Sequence, residues 1–173
     1  MAGWTVSMTE RFGDLNRVPR TQPYLPARVE RLGATTDNPK MSPKEVGKAV
    51  KLSGDTVVLC ADGDAIYGFI ESVEAATQRG YAIGGVLCDA GTEMLAEDEV
   101  GNLAVGDLVV CGTPAAIGTA LPASGQNVKK AVLTVAASGE AQTLSLPPAL
   151  IHKWLVCNTF GSGAGRSVML RKV

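Results

Sequence analysis

From Val50 to its last residue the chain is a succession of short β-branched and aliphatic runs, each cut by glycine, proline or aspartate. Such punctuation works against long helices, because glycine costs about 1 kcal/mol in a helix interior and proline about 3. The 20 glycines and 9 prolines among 173 residues therefore predict frequent turns and many short strands. Aromatic residues make up only 5%, so the core must be built mainly from Val, Leu, Ile and Ala. A chain of this length can bury about 70% of its unfolded surface and needs no disulfide or metal for stability.

The runs predict strands at 56–60, 81–87, 108–111, 128–136, 151–159 and 168–173. An Asp-Gly turn at 61–64 closes the first, and the loop Gly161-Ser162-Gly163-Ala164-Gly165 joins the last two as a hairpin. Residues 66–75 satisfy both periods. Ile66, Phe69, Ile70 and Val73 fit a helix, while Phe69, Glu71, Val73 and Ala75 alternate; strand is the reading adopted, with 76–80 as a hairpin loop. Residues 89–102 read as an acidic connection with one short strand. The motif Gly54-Asp55-Thr56-Val57-Val58-Leu59-Cys60 with Ala65-Ile66 is echoed by Gly106-Asp107-Leu108-Val109-Val110-Cys111 with Ala116-Ile117. Each copy reads as a Gly-Asp turn, a short buried strand and a second turn.

The first fifty residues differ. Pro19, Pro23, Pro26 and Pro39 interrupt a stretch with no sustained apolar period, and residues 21–28 read as extended or polyproline-like chain. Ser42-Pro43-Lys44-Glu45 is a capping-box signature, and Gly47 stops the turn early, so a short helix is expected within 43–49. The predicted fold is mainly β: a small β-barrel or β-sandwich body over 51–173, preceded by an extended N-terminal arm over 1–50, with little helix.

The net charge of −1 conceals segregation: residues 1–55 carry +3, residues 56–125 carry −9 and residues 126–173 carry +5. Alternating signs suit self-association or docking on a complementary surface. No segment is both strongly basic and aromatic-rich, so nucleic acid is not the expected ligand. No apolar stretch approaches 18 residues, and the first ten lack the basic and apolar regions of a signal peptide, so neither a membrane span nor secretion is expected. Cys60, Cys88, Cys111 and Cys157 form no CxxC pair and read as buried reduced thiols, in keeping with a cytoplasmic site of synthesis.

Candidate chemistry is sparse. His152, the single histidine, sits on a predicted strand and reads as structural. Ser162 lies in a hairpin loop rather than a GxSxG elbow, and the same loop lacks the βαβ setting of a dinucleotide site. Glu93, Glu97, Asp98 and Glu99 lack the regular spacing and central glycine of a calcium loop and read as a solvated acidic segment. Asp62, Asp64 and Glu71 invite a sugar acid/base pair, but turn chemistry accounts for the first two; Lys129 and Lys130 read as a solvated pair. No enzymatic activity, no catalytic residue, no cofactor and no metal site is expected.

The segments Gly63-Asp64-Ala65-Ile66-Tyr67-Gly68-Phe69-Ile70-Glu71-Ser72-Val73-Glu74, Gly80-Tyr81, and Leu103-Ala104-Val105-Gly106-Asp107-Leu108-Val109-Val110-Cys111-Gly112-Thr113 carry a resemblance. With Gly118-Thr119-Ala120-Leu121, Val128-Lys129-Lys130-Ala131 and the closing Arg171-Lys172-Val173, they resemble the capsid decoration, or cement, proteins of tailed double-stranded-DNA bacteriophages. The resemblance covers residues 50–173, with 24–30 a weaker match. It implies a β-rich virion protein on the outer surface of the expanded head, made in the host cytoplasm, that ties neighbouring major capsid subunits together. It also implies self-association as dimers or trimers.

In that setting the arm is the candidate binding element. Forty extended residues reach about 130 Å at about 3.3 Å each, enough to cross a capsomer boundary. Trp4, Phe12, Tyr24 and Leu25 are its expected anchors, and Arg17, Arg20, Arg28 and Arg31 its expected partners for acidic capsid surface. The alternative is a β-rich module recognising a host-surface sugar or protein, which would need exposed aromatics on the body; only Tyr67, Tyr81 and Trp154 are available.

Overall fold

The computed structural model describes residues 28–32, 41–54, 56–74, 82–132 and 152–173. Among these described residues, ten strands form two sheets: β1 (Arg28–Leu32), β2 (Ala49–Ser53), β3 (Thr56–Leu59), β4 (Gly68–Glu74), β5 (Ala82–Leu87), β6 (Glu93–Asp98), β7 (Val109–Cys111), β8 (Gln126–Lys130), β9 (Trp154–Phe160) and β10 (Arg166–Lys172). The fold is mainly β, as the punctuated sequence requires. Among the described residues the only helical piece is the 3-10 turn Pro43–Glu45.

The first sheet closes on itself in the order β1-β3-β2-β4-β5. Closure falls to β1, which pairs antiparallel with β5 over five residues, from Arg28↔Val86 to Leu32↔Ala82, and touches β3 in parallel at Leu32↔Val57. Such a tight ring requires glycine inside it. A Cβ at Gly84 would collide with the Ser72 carbonyl oxygen and come within 2.7 Å of Leu32 Cδ1, so the bare backbone is what lets β1, β4 and β5 approach. Leu32, Val50, Val57, Ile70 and Val86 fill the interior.

The second sheet has the order β7-β8-β6-β10-β9 and curls until its ends meet. Gly106 N–H donates to Val156 O at 2.8 Å, Val156 N–H donates to Asp107 O at 3.0 Å, and Leu108 bridges Leu155. Its inner face shares one core with the barrel. Ala49, Cys60, Ile66 and Phe69 from the first sheet and its connections meet Ala96, Val109, Cys111, Val128, Trp154, Val156, Val168 and Leu170 from the second. Phe69 and Trp154 pack edge to face at 4.9 Å.

Several expectations match the structure and several are corrected by it. Residues 68–74 are strand, and the ambiguous period resolves because β4 is flanked by β2 and β5. The loop at 161–165 joins β9 and β10 as an antiparallel hairpin. The turn at 43–45 carries the full capping box: Ser42 N–H and Oγ–H donate to Glu45 Oε2 at 2.6 and 2.7 Å, and Lys44 N–H donates to Ser42 Oγ. Within 89–102, however, lies not a minor strand but β6, the centre of the second sheet, paired with β10 on one side and β8 on the other. Strand β8 starts at Gln126, two residues early, and ends at Lys130; residues 133–136 lie outside the described residues. Both Arg28–Leu32 and Ala49–Val50, assigned to the arm, are paired strand residues of the barrel. Residues 1–27 and the loop at 76–80 lie outside the described residues.

Gly84→Val should open the barrel, because its branched side chain meets backbone that cannot yield. The expected loss is about 1–3 kcal/mol or more, read as a lower urea midpoint by circular dichroism.

Candidate functional site

The expected arm residues Trp4, Phe12, Arg17, Arg20, Tyr24 and Leu25 lie outside the described residues. Arg28 and Arg31 are placed by their backbones alone, opposite Val86 and Ile83 in the β1–β5 ladder. Residues 28–32, which follow the last expected anchor, Leu25, closely in sequence, are thus a strand of the body.

The structure also collects charged groups where barrel and second sheet meet, and these were not anticipated. Lys172, near the end of β10, is only 6% exposed. Its ammonium donates to the Tyr67 carbonyl at 3.2 Å and sits 5.4 Å from the Trp154 ring centroid. Burial pushes its pKa down to about 8, against a smaller opposing influence from Cys88. His152 packs edge-on against Tyr67 at 5.1 Å, and burial followed by repulsion from Lys172 holds its imidazole below the ordinary histidine range. His152 lies just before β9 rather than on the strand expected from the sequence.

A second cluster pins the β7–β8 connection to the barrel. Glu45 and Lys48 are both buried and lie 3.6 Å apart. Glu45 Oε1 accepts from Gly118 N–H at 2.6 Å, and Lys48 Nζ donates to Ala116 O at 2.8 Å. Burial works to raise the Glu45 pKa, but hydrogen bonds from Ser42 and Gly118 and the nearby Lys48 hold it below the usual carboxylate value. The capping residue of the short turn is thus also the anchor of a loop 73 residues away in sequence.

A third cluster orders the β6–β7 connection. Asp98 is fully buried and accepts from Gly101 N–H at 2.8 Å, Leu103 N–H at 2.9 Å and Arg166 Nε at 3.0 Å. Burial opposes its ionisation, yet these three donors hold its pKa below the ordinary aspartate value. Gly101 adopts φ +82°, and a side chain there would run into the backbone of Gly163, so the β9–β10 hairpin closes over this turn.

The remaining acids are dispersed rather than convergent. Glu93 pairs with Arg171, Glu97 accepts from Ser124, and Glu99 accepts from Thr113 N–H at 3.1 Å. Asp64 accepts from Ala61 N–H at 2.7 Å, as its turn predicts, and Asp62 pairs with Lys129 at 2.6 Å. Lys129 and Lys130 are therefore not simply solvated: the second pairs with Asp107 at 2.7 Å. Their attachment to turns far away in sequence is a tertiary effect that a local reading misses.

A shallow pocket of about 220 Å³ opens on the second sheet, lined by Glu93, Cys157, Asn158, Phe160, Met169 and Arg171. It is smaller than the few hundred Å³ typical of small-molecule sites. Cys157 is half-buried, a correction to its expected burial, because it lies where the β9–β10 register shifts between Met169 and Leu170. Burial and then Glu93 push its thiol up, so it rests as a weakly nucleophilic thiol donating to Met169 O at 3.3 Å. Cys60, Cys88 and Cys111 are buried as expected. Among the described residues no helix is long and apolar enough to cross a membrane. No protein-family model, no curated protein and no solved structure matches the chain.

Lys172→Met should show the cost of the buried ammonium. Between about pH 8 and the ordinary 10.5, the unfolded chain still binds a proton that folded Lys172 has released, so wild-type stability rises across that window. The difference in unfolding free energy between variant and wild type should therefore shift toward wild type by up to roughly 3 kcal/mol between pH 7 and 10.5. Urea titrations at the two pH values measure it. Glu45→Gln, in contrast, leaves the buried Lys48 charge without its counter-ion and should cost about 3–5 kcal/mol at pH 7 in the same assay.

Proposed function

We propose that this protein is a capsid decoration, or cement, protein of a tailed double-stranded-DNA phage, bound to the outer surface of the head. There it stabilises contacts between major capsid subunits, with other copies of itself, as a dimer or trimer, as further partners. In this reading it is a structural protein, with no catalytic step and no cofactor; it is made in the host cytoplasm and ends in the virion.

One observation supports the reading beyond the resemblance over residues 50–173: residues 28–32, which follow the expected anchors, are a strand of the closed barrel. A tether transmits load only if its root is held. Strand β1 follows the expected anchors Tyr24 and Leu25 closely in sequence and is paired with β5 over five residues, so a pull directed along the strand would be shared across a hydrogen-bonded ladder. Many weak arm contacts repeated over a symmetric shell would supply avidity with no single strong site. The alternative, a module recognising a host-surface sugar or protein, needs aromatic faces in solvent. Tyr67 is 9% exposed and Trp154 fully buried, so two of its three candidate platforms are spent on the core.

The placement of β1 also sets where the arm can be cut. Removing residues 1–40 would take out the strand that closes the barrel, whereas removing 1–27 leaves it intact. Full-length protein should pellet saturably with expanded capsid shells, at a fixed ratio to the major capsid subunit, and not with shells before expansion. The 1–27 deletion should lose pelleting while keeping the circular dichroism and melting temperature of the body. Full pelleting by the deletion would overturn the arm's role, and failure of the full chain to pellet at any salt concentration would overturn decoration itself.

A further inference from the structure

The sequence echo ends each copy in a cysteine, Cys60 after β3 and Cys111 at the end of β7, and the structure brings these two ends together. Gly63 N–H donates to Cys111 O at 2.8 Å and Cys111 N–H donates to Asp64 O at 2.9 Å, so the turn after β3 runs beside β7 of the other sheet. Across that bridge Cys60 and Cys111 pack into the same core cluster, and Cys111 is the neighbour that acts most strongly on the Cys60 thiol. Both are buried in the shared core, at 3% and 1% exposure. Their other contacts are weak: Cys60 Sγ to Ala65 O at 3.8 Å, Cys111 Sγ to Gly112 O at 3.3 Å, and Gln126 Nε2 to Cys111 Sγ at 3.7 Å. The two thiols are thus each other's neighbours on segments about 50 residues apart, one belonging to each sheet.

We propose that Cys60 and Cys111 are a cross-linking site, at which a reversible disulfide covalently joins the barrel to the second sheet. The co-reactant is a low-molecular-weight disulfide. One cysteine loses its proton to solvent and attacks a sulfur of the small disulfide; that S–S bond breaks and one small thiolate leaves, giving a mixed disulfide on the protein. The second cysteine, deprotonated in turn, attacks the protein sulfur of the mixed disulfide and expels the second small thiolate. The protein gives up two electrons and two protons, and the small disulfide is reduced to two thiols.

Reaction is slow by construction. Interaction with Cys111 and then burial push the Cys60 thiol well above its ordinary value, so little thiolate is present at neutral pH. Access depends on opening the turn after β3, where Ala61, Asp62 and Gly63 are exposed. Once made, the bond closes a loop of about 50 residues and restricts the unfolded chain, which should raise the melting temperature by roughly 10 °C. The cross-link is independent of whatever partner the arm takes.

The test uses the full chain, reduced and then incubated with glutathione disulfide for hours to days. Remaining thiols are alkylated in denaturant and the peptides mapped without reductant. The expected result is a Cys60–Cys111 linked peptide, with Cys88 alkylated, and a melting temperature that rises and returns on adding dithiothreitol. Cys157→Ala should keep both the link and the shift, while Cys60→Ser should lose both. Four alkylated cysteines after prolonged incubation, or a link that joins a different pair in the folded protein, would overturn the proposal. Should Cys60→Ser fail to fold, the peptide map of the wild-type chain decides alone.

Discussion

The edge-to-face contact between Phe69 and Trp154 is the joint on which both sheets depend. Neither sheet is self-sufficient: the barrel strands run four to seven residues, and the second sheet has one apolar face that must be covered. With aromatics so scarce in this chain, the largest buried side chain, Trp154, does much of that covering from the second sheet, and Phe69 meets it from the barrel. An aromatic pair in this geometry adds about 0.5–1.5 kcal/mol beyond the area it removes from water. The fit has a cost, because Trp154 Nε1 is buried without an acceptor. Apolar contact therefore decides the position of the indole, and hydrogen bonding does not.

Three buried charged sites lock connections to strands, each held by protein partners rather than by solvent. Glu45 with Lys48 ties the barrel side to the β7–β8 connection, Asp98 with Arg166 ties β6 to β10, and Lys172 reaches from β10 to the Tyr67 carbonyl. The three differ in how the charge is met. Asp98 receives three donors and stays ionised despite burial, whereas Lys172 has a carbonyl and a π-face and gives up part of its basicity. Buried ion pairs add little net stability against apolar packing of equal volume, but breaking one exposes the full desolvation penalty. Their effect here is to fix which loop sits on which strand.

Local elements were legible in the sequence wherever their cause was local. The capping box at Ser42 and Glu45, the glycine hairpin at 161–165 and the β-branched run before Cys60 depend on neighbours in the chain, and each appears where its signature stands. Strands β1 and β6 were obscured because their charges looked like solvated sequence. In Glu-Met-Leu-Ala-Glu-Asp of β6, Glu93 and Asp98 find their arginines on β10, about 70–80 residues later. The convergence of Cys60 and Cys111 was written into the echo of Gly-Asp-strand-Cys, yet spacing alone cannot show that two copies face each other. Burial of Glu45, Lys48 and Lys172 left no sequence signal, since each is decided by an element from another part of the chain.

A tether must fail at its attachment to the partner before its root fails in its own body. In the proposed reading the root is the β1–β5 ladder, whose backbone hydrogen bonds would be loaded together in shear by a pull directed along the strand. The parallel seam between β1 and β3 has a single register pair, so it cannot share the load equally. Resistance therefore rests on β5, and β5 is braced on its other side by β4 from Phe69↔Leu87 to Glu74↔Ile83. Phe69 is also the barrel residue against Trp154, so in that reading a load on β1 would pass through β5 and β4 into the joint shared by the two sheets. Such a load would end in the core that the two sheets share, where Phe69 and Trp154 are both fully buried, rather than at a surface site.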